Sequence, residues 1–295
     1  MLAPRSLYFH RKQLYWECRL FRANERFSQG LDHTRPPKSN VEKWRISDNS
    51  NVLNIPAEWL QIVNQYSRRA LTYPNDRLPA LSAIARVFCK GLALDDPSHL
   101  GANSQHYLAG LWRINLEYQL FWIQCSSPLS PRPDPPHRPT WSWTSVGGTV
   151  GFHPISTTCN FSIQSARTVL ATDDKYGDVT SGSLEVQCHP LIPAILTSEK
   201  TVSIDSVAIP YKEVNVHLDE PVHPPEVFIL HGATTVDGDE VGIVLQATLT
   251  ERTYRRVGVC RKRVETLRLK RKSPVSKVLL PFDAGKSGQT IITIV

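Results

Sequence analysis

Pro128-Leu-Ser-Pro-Arg-Pro-Asp-Pro-Pro-His-Arg-Pro139 lies near the middle of the chain, and six of its twelve residues are proline. Proline lacks the amide donor and fixes φ, so the stretch forms neither a helix nor a central strand. It reads as an extended, semi-rigid connector or long loop over 127–140. The two sides of it differ. All seven tryptophans (16, 44, 59, 112, 122, 141 and 143) fall before or just after it. After it, the apolar residues alternate with polar ones at period 2.

On the N-terminal side the spacing predicts helices over 21–126. In 56–67, Trp59, Ile62, Val63 and Tyr66 form a one-face stripe, with Pro56 suited to a first helical turn. In 76–90, Leu81, Ile84, Ala85 and Phe88 form another, with Asp76 as N-cap and Gly91 as stop. In 104–124, Leu108, Leu111, Trp112, Leu116, Leu120 and Ile123 continue the pattern, with a break at Gly110. The first twenty residues differ. Ser6-Leu-Tyr-Phe-His10 and Gln13-Leu-Tyr-Trp-Glu17 are short, aromatic and separated by a charged turn, which predicts a hairpin.

On the C-terminal side, 141–145, 182–187, 202–205, 214–217, 227–230, 243–249, 253–260 and 289–295 read as strands. Asp237-Gly238 supplies a turn between two of them. The expected fold class is therefore α+β. A helical N-terminal half, opened by an aromatic β-hairpin at 1–20, leads through the proline-rich connector. A β-rich, sandwich- or barrel-like domain follows at 141–295.

Charge bounds the function. The net charge is +7, but it is unevenly spread. Residues 252–272 carry ten basic residues against Glu265 alone, whereas the rest of the chain after 125 has 8 basic and 16 acidic residues. Nucleic-acid binding needs uncompensated positive charge, and here much of it can be met within the same domain. No apolar run is long enough for a membrane-spanning helix. The N-terminus has no apolar core of the kind a secretory signal needs, so a cytoplasmic location is expected, with the nucleus as alternative. The six cysteines (18, 89, 125, 159, 188 and 260) form no CxxC pair and read as reduced thiols.

Motifs for catalysis are sparse. Ala284-Gly-Lys-Ser287 lacks the upstream glycine and the following helix of a phosphate-binding loop. Cys188-His189, His217, His223 and His231 lack zinc-ligand spacing, and adjacent residues on a strand face opposite ways. No cofactor is expected. The candidate contact residues are Tyr15 and Trp16 on the hairpin, Arg68 and Arg69 at a helix end, and Arg261, Lys262 and Arg263 in the basic run. The two arginines of 68–69 could grip an acidic partner, and the basic run could be a nuclear address or bind anions. The plainer readings are a solvated helix end and a solvent-facing edge strand with basic side chains.

Several blocks, in order, resemble fungal heterokaryon incompatibility proteins. They are Leu2-Ala-Pro-Arg-Ser-Leu-Tyr-Phe-His10 with Gln13-Leu-Tyr-Trp-Glu-Cys18, and Ile62 to Tyr73 with Asp76 to Ala85. Tyr107-Leu-Ala-Gly-Leu-Trp-Arg113, Pro139-Thr-Trp-Ser-Trp-Thr-Ser-Val146 and Tyr254-Arg-Arg-Val-Gly258 follow. The resemblance implies that the chain opens on the last strands of the family's death-inducing domain and continues through the region after it. That domain is distantly similar to TIR-type signalling domains, some of which cleave NAD, and no catalytic residue carries over. The implied role is regulation or partner recognition, with a HET-type protein or a second copy meeting the 6–18 hairpin. Two alternatives follow. A longer gene product would be a cell-death effector with an NAD-consuming domain upstream. A basic module would bind nucleic acid through 252–272.

Overall fold

The computed structural model describes residues 5–9, 11, 13–18, 22–28, 55–69, 71, 73–91, 105–129, 132, 138–156, 159–196, 202–203, 214–221, 225–262 and 289–295. The chain divides into two units, Met1–Leu53 and Asn54–Val295.

In the first unit β1 (Arg5–Phe9), β2 (Leu14–Cys18) and β3 (Arg22–Asn24) form an antiparallel sheet in that order. The expected hairpin is present, and β3 adds a third strand that the sequence reading omitted. A lone hairpin is marginal in water, and a third strand is what such a pair needs. Leu7, Trp16 and Ala23 line up across the three strands, so they share one face. Leu7 and Phe9 are exposed.

The second unit overturns the expected helical half. Of the described residues 46% are strand and 18% helical, so the protein is mostly β. The two clear stripes do fold as helices, α1 (Ile55–Ser67) and α2 (Pro79–Gly91). Each buries the predicted face, Trp59, Ile62, Val63 and Tyr66 in one and Leu81, Ile84, Ala85 and Phe88 in the other. Asp76 is not the N-cap of α2, because it lies in a preceding 3-10 turn, Pro74–Arg77.

The stretch 104–124 is not a long helix. It folds as β4 (Tyr107–Leu108), β5 (Leu111–Trp112), the single-turn α3 (Leu116–Gln119) and β6 (Trp122–Gln124). Positive φ angles at Ala109 (48°), Gly110 (92°) and Asn115 (52°) reverse the chain where a helix would continue. A side chain at Gly110 would place its Cβ 2.7 Å from Nε1 of Trp143, so this turn requires glycine. Trp141 to Ser145 is likewise no strand. It is a tight turn ending in a 3-10 segment, Trp143–Ser145, capped by the Ser142 hydroxyl, which accepts from the Thr144 amide at 3.1 Å.

Among the described residues the main sheet has nine strands. Its path is β11 (Val202–Ser203), β10 (Ile192–Leu196), β13 (Glu226–Thr234), β14 (Glu240–Ala247), β15 (Thr253–Lys262), β16 (Thr290–Ile294), β9 (Val179–Cys188) and β8 (Phe161–Leu170). The ninth strand, β12 (Val214–Leu218), also pairs with β15. A short pair, β6 with β7 (Val150–Phe152), lies outside it. The strands expected from the period-2 pattern are found in the described residues, except at 141–145 and at 248–249, where β14 has already ended; β7, β8 and β10 were not expected. Inward side chains of β10, β12, β13, β14 and β15, among them Leu196, Val216, Ile229, Val244 and Cys260, converge on one apolar core.

Strand β15 is forked. Its start, Thr253 and Tyr254, pairs in parallel with Thr293 and Ile294 of β16. Its end, Gly258–Lys262, pairs with β12 instead. Between the two partners Val257 is an extra residue, because Val244 faces Gly258 while Leu245 faces Arg256. This bulge reverses the alternation and turns Arg256 to the face opposite Gly258 and Cys260.

The outer edge of β8 is closed by side chains. The Gln105 amide accepts from the Thr168 N–H at 2.7 Å and donates to the Thr168 carbonyl at 3.0 Å, as another strand would. Glu117 accepts from the Ile163 N–H at 3.0 Å, and Arg113 donates to its carbonyl at 3.2 Å. An open edge invites pairing with other chains. Gln105→Ala is expected to lower stability by about 1–3 kcal/mol. It is also expected to produce concentration-dependent association in sedimentation velocity runs; a monodisperse, equally stable variant would contradict this role.

Candidate functional site

The fork in β15 is filled by a buried ionic centre. Arg256 is 1% exposed and Asp219, just past β12, is 0% exposed. The guanidinium meets this carboxylate through two bonds, Nε to Oδ2 at 3.0 Å and Nη2 to Oδ1 at 3.2 Å. It also donates to the carbonyls of Leu120, at 2.8 Å, and Trp122. Its Cζ lies over the Trp122 ring, 3.4 Å from the centroid. A second arginine, Arg132 from the proline-rich stretch, reaches the same carboxylate with Nη2 to Oδ2 at 2.8 Å. Arg132 also donates to Ser145 Oγ at 3.0 Å and to the Arg256 carbonyl at 3.1 Å. On the outer side Glu220 pairs with Arg255 and lies 3.8 Å from Arg132 Nε, too far for a hydrogen bond.

Backbone contacts complete the closure. The Arg256 N–H, which lacks a ladder partner at the fork, donates to the Thr140 hydroxyl at 2.9 Å. The Asp219 N–H donates to the Val257 carbonyl at 3.0 Å, and Trp122 Nε1 to the Trp141 carbonyl at 2.9 Å. Burial lowers the Arg256 guanidinium to about 10, and the Asp219 charge opposes that shift. The guanidinium therefore stays protonated at neutral pH. The centre is shut off from solvent, and all its guanidinium contacts but Arg132 Nε, which is buried without a hydrogen-bond partner, go to protein acceptors, so it braces the fold. It ties the proline-rich stretch, the Trp141–Ser145 turn, β6, β12 and β15 together.

An aromatic cluster lies in the same unit. Trp59 is packed edge-on against Phe88, Tyr107 and Trp112, with centroids 5.4–5.8 Å away. The Gly110 carbonyl accepts from both Trp59 Nε1 at 2.8 Å and Trp143 Nε1 at 3.0 Å. Arg77 stacks over Trp143 at 5.0 Å and donates to the Gly148 carbonyl at 2.8 Å.

The described residues picked out from the sequence lie on separate elements. Tyr15 and Trp16 are half-buried on β2, the middle strand of the first unit, where Gln13 donates to the Tyr15 hydroxyl. Arg68 and Arg69 are exposed just past α1, and the Arg69 amide still donates to the Tyr66 carbonyl at 2.9 Å. Arg261 is held by Asp239 at 2.6 Å and Asp237 at 3.3 Å, and Lys262 lies 3.8 Å from Glu240. Arg263, His223, 264–272 and 284–287 lie outside the described residues. Five described cations of the basic run, Arg252, Arg255, Arg256, Arg261 and Lys262, thus have carboxylate partners in their own unit. Among the described residues no group of three or more His, Cys, Asp or Glu side chains is placed to hold a metal. No described helix is long and apolar enough to cross a membrane.

Sequence reading missed Arg132, Asp219 and His153. Arg256 was within a quoted block but was not singled out. The available signal was charge set beside apolar residues, the pair Arg255-Arg256 between Tyr254 and Val257, and Asp219 after Leu218. Arg132 had no such signal, because a proline-rich stretch reads as solvated.

Fold and centre define a mostly β protein whose forked sheet is braced by a buried arginine–aspartate cluster. No family model, curated protein or solved structure matches the chain.

Proposed function

We propose that these residues form the regulatory or interaction region of a heterokaryon-incompatibility-type protein, the part that follows the death-inducing domain, and that they act through protein contact and not through catalysis. The observation that supports this reading is the meeting of four of the resembling blocks in one buried core. Tyr66 packs edge-on against Trp143 at 6.4 Å, both Trp59 and Trp143 bond the Gly110 carbonyl, and Thr140 receives the Arg256 amide. Blocks far apart in sequence are thus mutually dependent in packing, which is what a shared folding unit requires. The ionic groups among them are closed off, which favours a scaffold over an active site. Leu7 and Phe9 of the first unit offer an exposed apolar surface for self-association or for a HET-type partner.

The test is incubation of the purified 295-residue chain with NAD, following nicotinamide by chromatography. No release above the buffer rate is the expected result. Turnover that scales with protein concentration would sink the non-catalytic reading.

A further inference from the structure

His153 follows β7 and opens a short strap that lies along the tip of the β13–β14 hairpin. The strap is held by backbone bonds. The His153 N–H donates to the Phe121 carbonyl at 3.0 Å, the Ser156 N–H to the Thr234 carbonyl at 2.9 Å, and the Val236 N–H to the Pro154 carbonyl at 3.0 Å. The imidazole is turned inward and only 7% exposed. Its Nε2 is buried with no hydrogen-bond partner. The charged and titratable groups that face it come from three elements. His217 of β12 stands 5.7 Å away, ring to ring. Arg256 and Arg261 of β15 add two positive charges, and Asp239 of the hairpin turn adds one negative charge, which is engaged with Arg261 at 2.6 Å.

We propose that this strap is an acid-released clamp, in which a proton taken up by His153 Nε2 loosens residues 153–156 from the β13–β14 turn. The protonated ring would be a cation with no acceptor, between two arginines and a second imidazole. The opened strap gives the ring water and relieves both penalties. Burial, then His217 and the two arginines, hold the closed imidazole down to about 4, below its ordinary 6.5. The open form therefore binds the extra proton between these values. The closed form is favoured above pH 6.5, and the preference is lost as pH falls towards 4. Opening should rise by roughly tenfold per pH unit across that window. The device gives the hairpin tip, with its exposed Val236, a second state set by acidity alone.

Hydrogen exchange of the full chain, read as protection factors from pH 7 to pH 4, tests it. The expected result is a roughly tenfold loss of protection per pH unit at His153, Ser156 and Val236. The Arg167–Ser183 part of the β8–β9 ladder should stay protected, and His153→Gln should flatten the response. Unchanged protection in the wild type, an equal loss in His153→Gln, or a parallel loss in β8–β9 would each overturn the clamp. If His153→Gln fails to fold, the His153 ring is titrated by NMR in the wild-type chain. A depressed titration point supports the clamp, and an ordinary value near 6.5 overturns it.

Discussion

Asp219→Asn is expected to lower the unfolding free energy by about 3–5 kcal/mol, because it leaves two buried guanidiniums without their shared counter-charge. Both Arg132 and Arg256 lie within 3.0 Å of this one carboxylate. The contrast with the arginines makes the result diagnostic. Arg132→Met removes one cation and leaves the two-bond Arg256–Asp219 pair intact, so it should cost less. Arg256→Met also strips the Leu120 and Trp122 carbonyls of their donor and should fall between the two. A domain is stable by only about 5–15 kcal/mol, so the asparagine variant should unfold at much lower urea. Equal midpoints for Asp219→Asn and Arg132→Met would show that the carboxylate is not the hub.

Trp59→Ala should cost a similar amount, about 3–5 kcal/mol, by emptying the space between Phe88, Tyr107 and Trp112. Trp59 is 0% exposed, so the surroundings have no solvent side from which to refill the space. Trp59→Phe separates packing from hydrogen bonding. The Gly110 carbonyl keeps its bond from Trp143, so no buried acceptor is orphaned. That variant should lose about 1–2 kcal/mol. In a Trp143→Phe background the same change removes the second donor, and its cost should rise by about 1–2 kcal/mol. Urea unfolding of the four proteins gives the coupling; strict additivity would show that the shared carbonyl is not a joint.

The helices at 55–67 and 79–91 were legible because each is half-buried, and half-burial prints a 3.6-residue stripe on the sequence. Residues 107–112 are all buried, so their apolar spacing carries no period that separates helix from turn. The deciding facts there were the positive φ at Ala109 and the shared use of the Gly110 carbonyl by two tryptophans that are far away along the chain. Trp141-Ser-Trp-Thr-Ser145 alternates like a strand, yet every one of its residues is buried, and the Ser142 hydroxyl accepts from the Thr144 amide nearby while donating to the distant Ala109 carbonyl. Short polar side chains that bond nearby backbone compete with a ladder. The ionic centre was hidden for a different reason. Its members are 87 and 37 residues apart along the chain, and only the bulge at Val257 aims Arg256 at Asp219. That the charge of the basic run is met within its own domain was legible, but its partners were not, because Asp237, Asp239 and Glu240 come from the neighbouring hairpin.

The forked strand also has a consequence for the order of assembly. Among the described strands, β8 and β9 join the rest of the main sheet through β16 alone, which stands between β9 and β15. Its bond to β9 is a full five-residue ladder, while its bond to β15 covers Thr253 and Tyr254 alone. The β8–β9 and β13–β14–β15 meanders are each built from neighbours in sequence and can form early. The ladder that pairs Ile292 with Val186 must close a loop of roughly a hundred residues, and loop entropy delays it. The sheet is thus two local meanders and one late seam. The step that limits its folding rate should be the docking of β16, with Thr140, which bonds both Val295 and Arg256, locking the seam once it has closed.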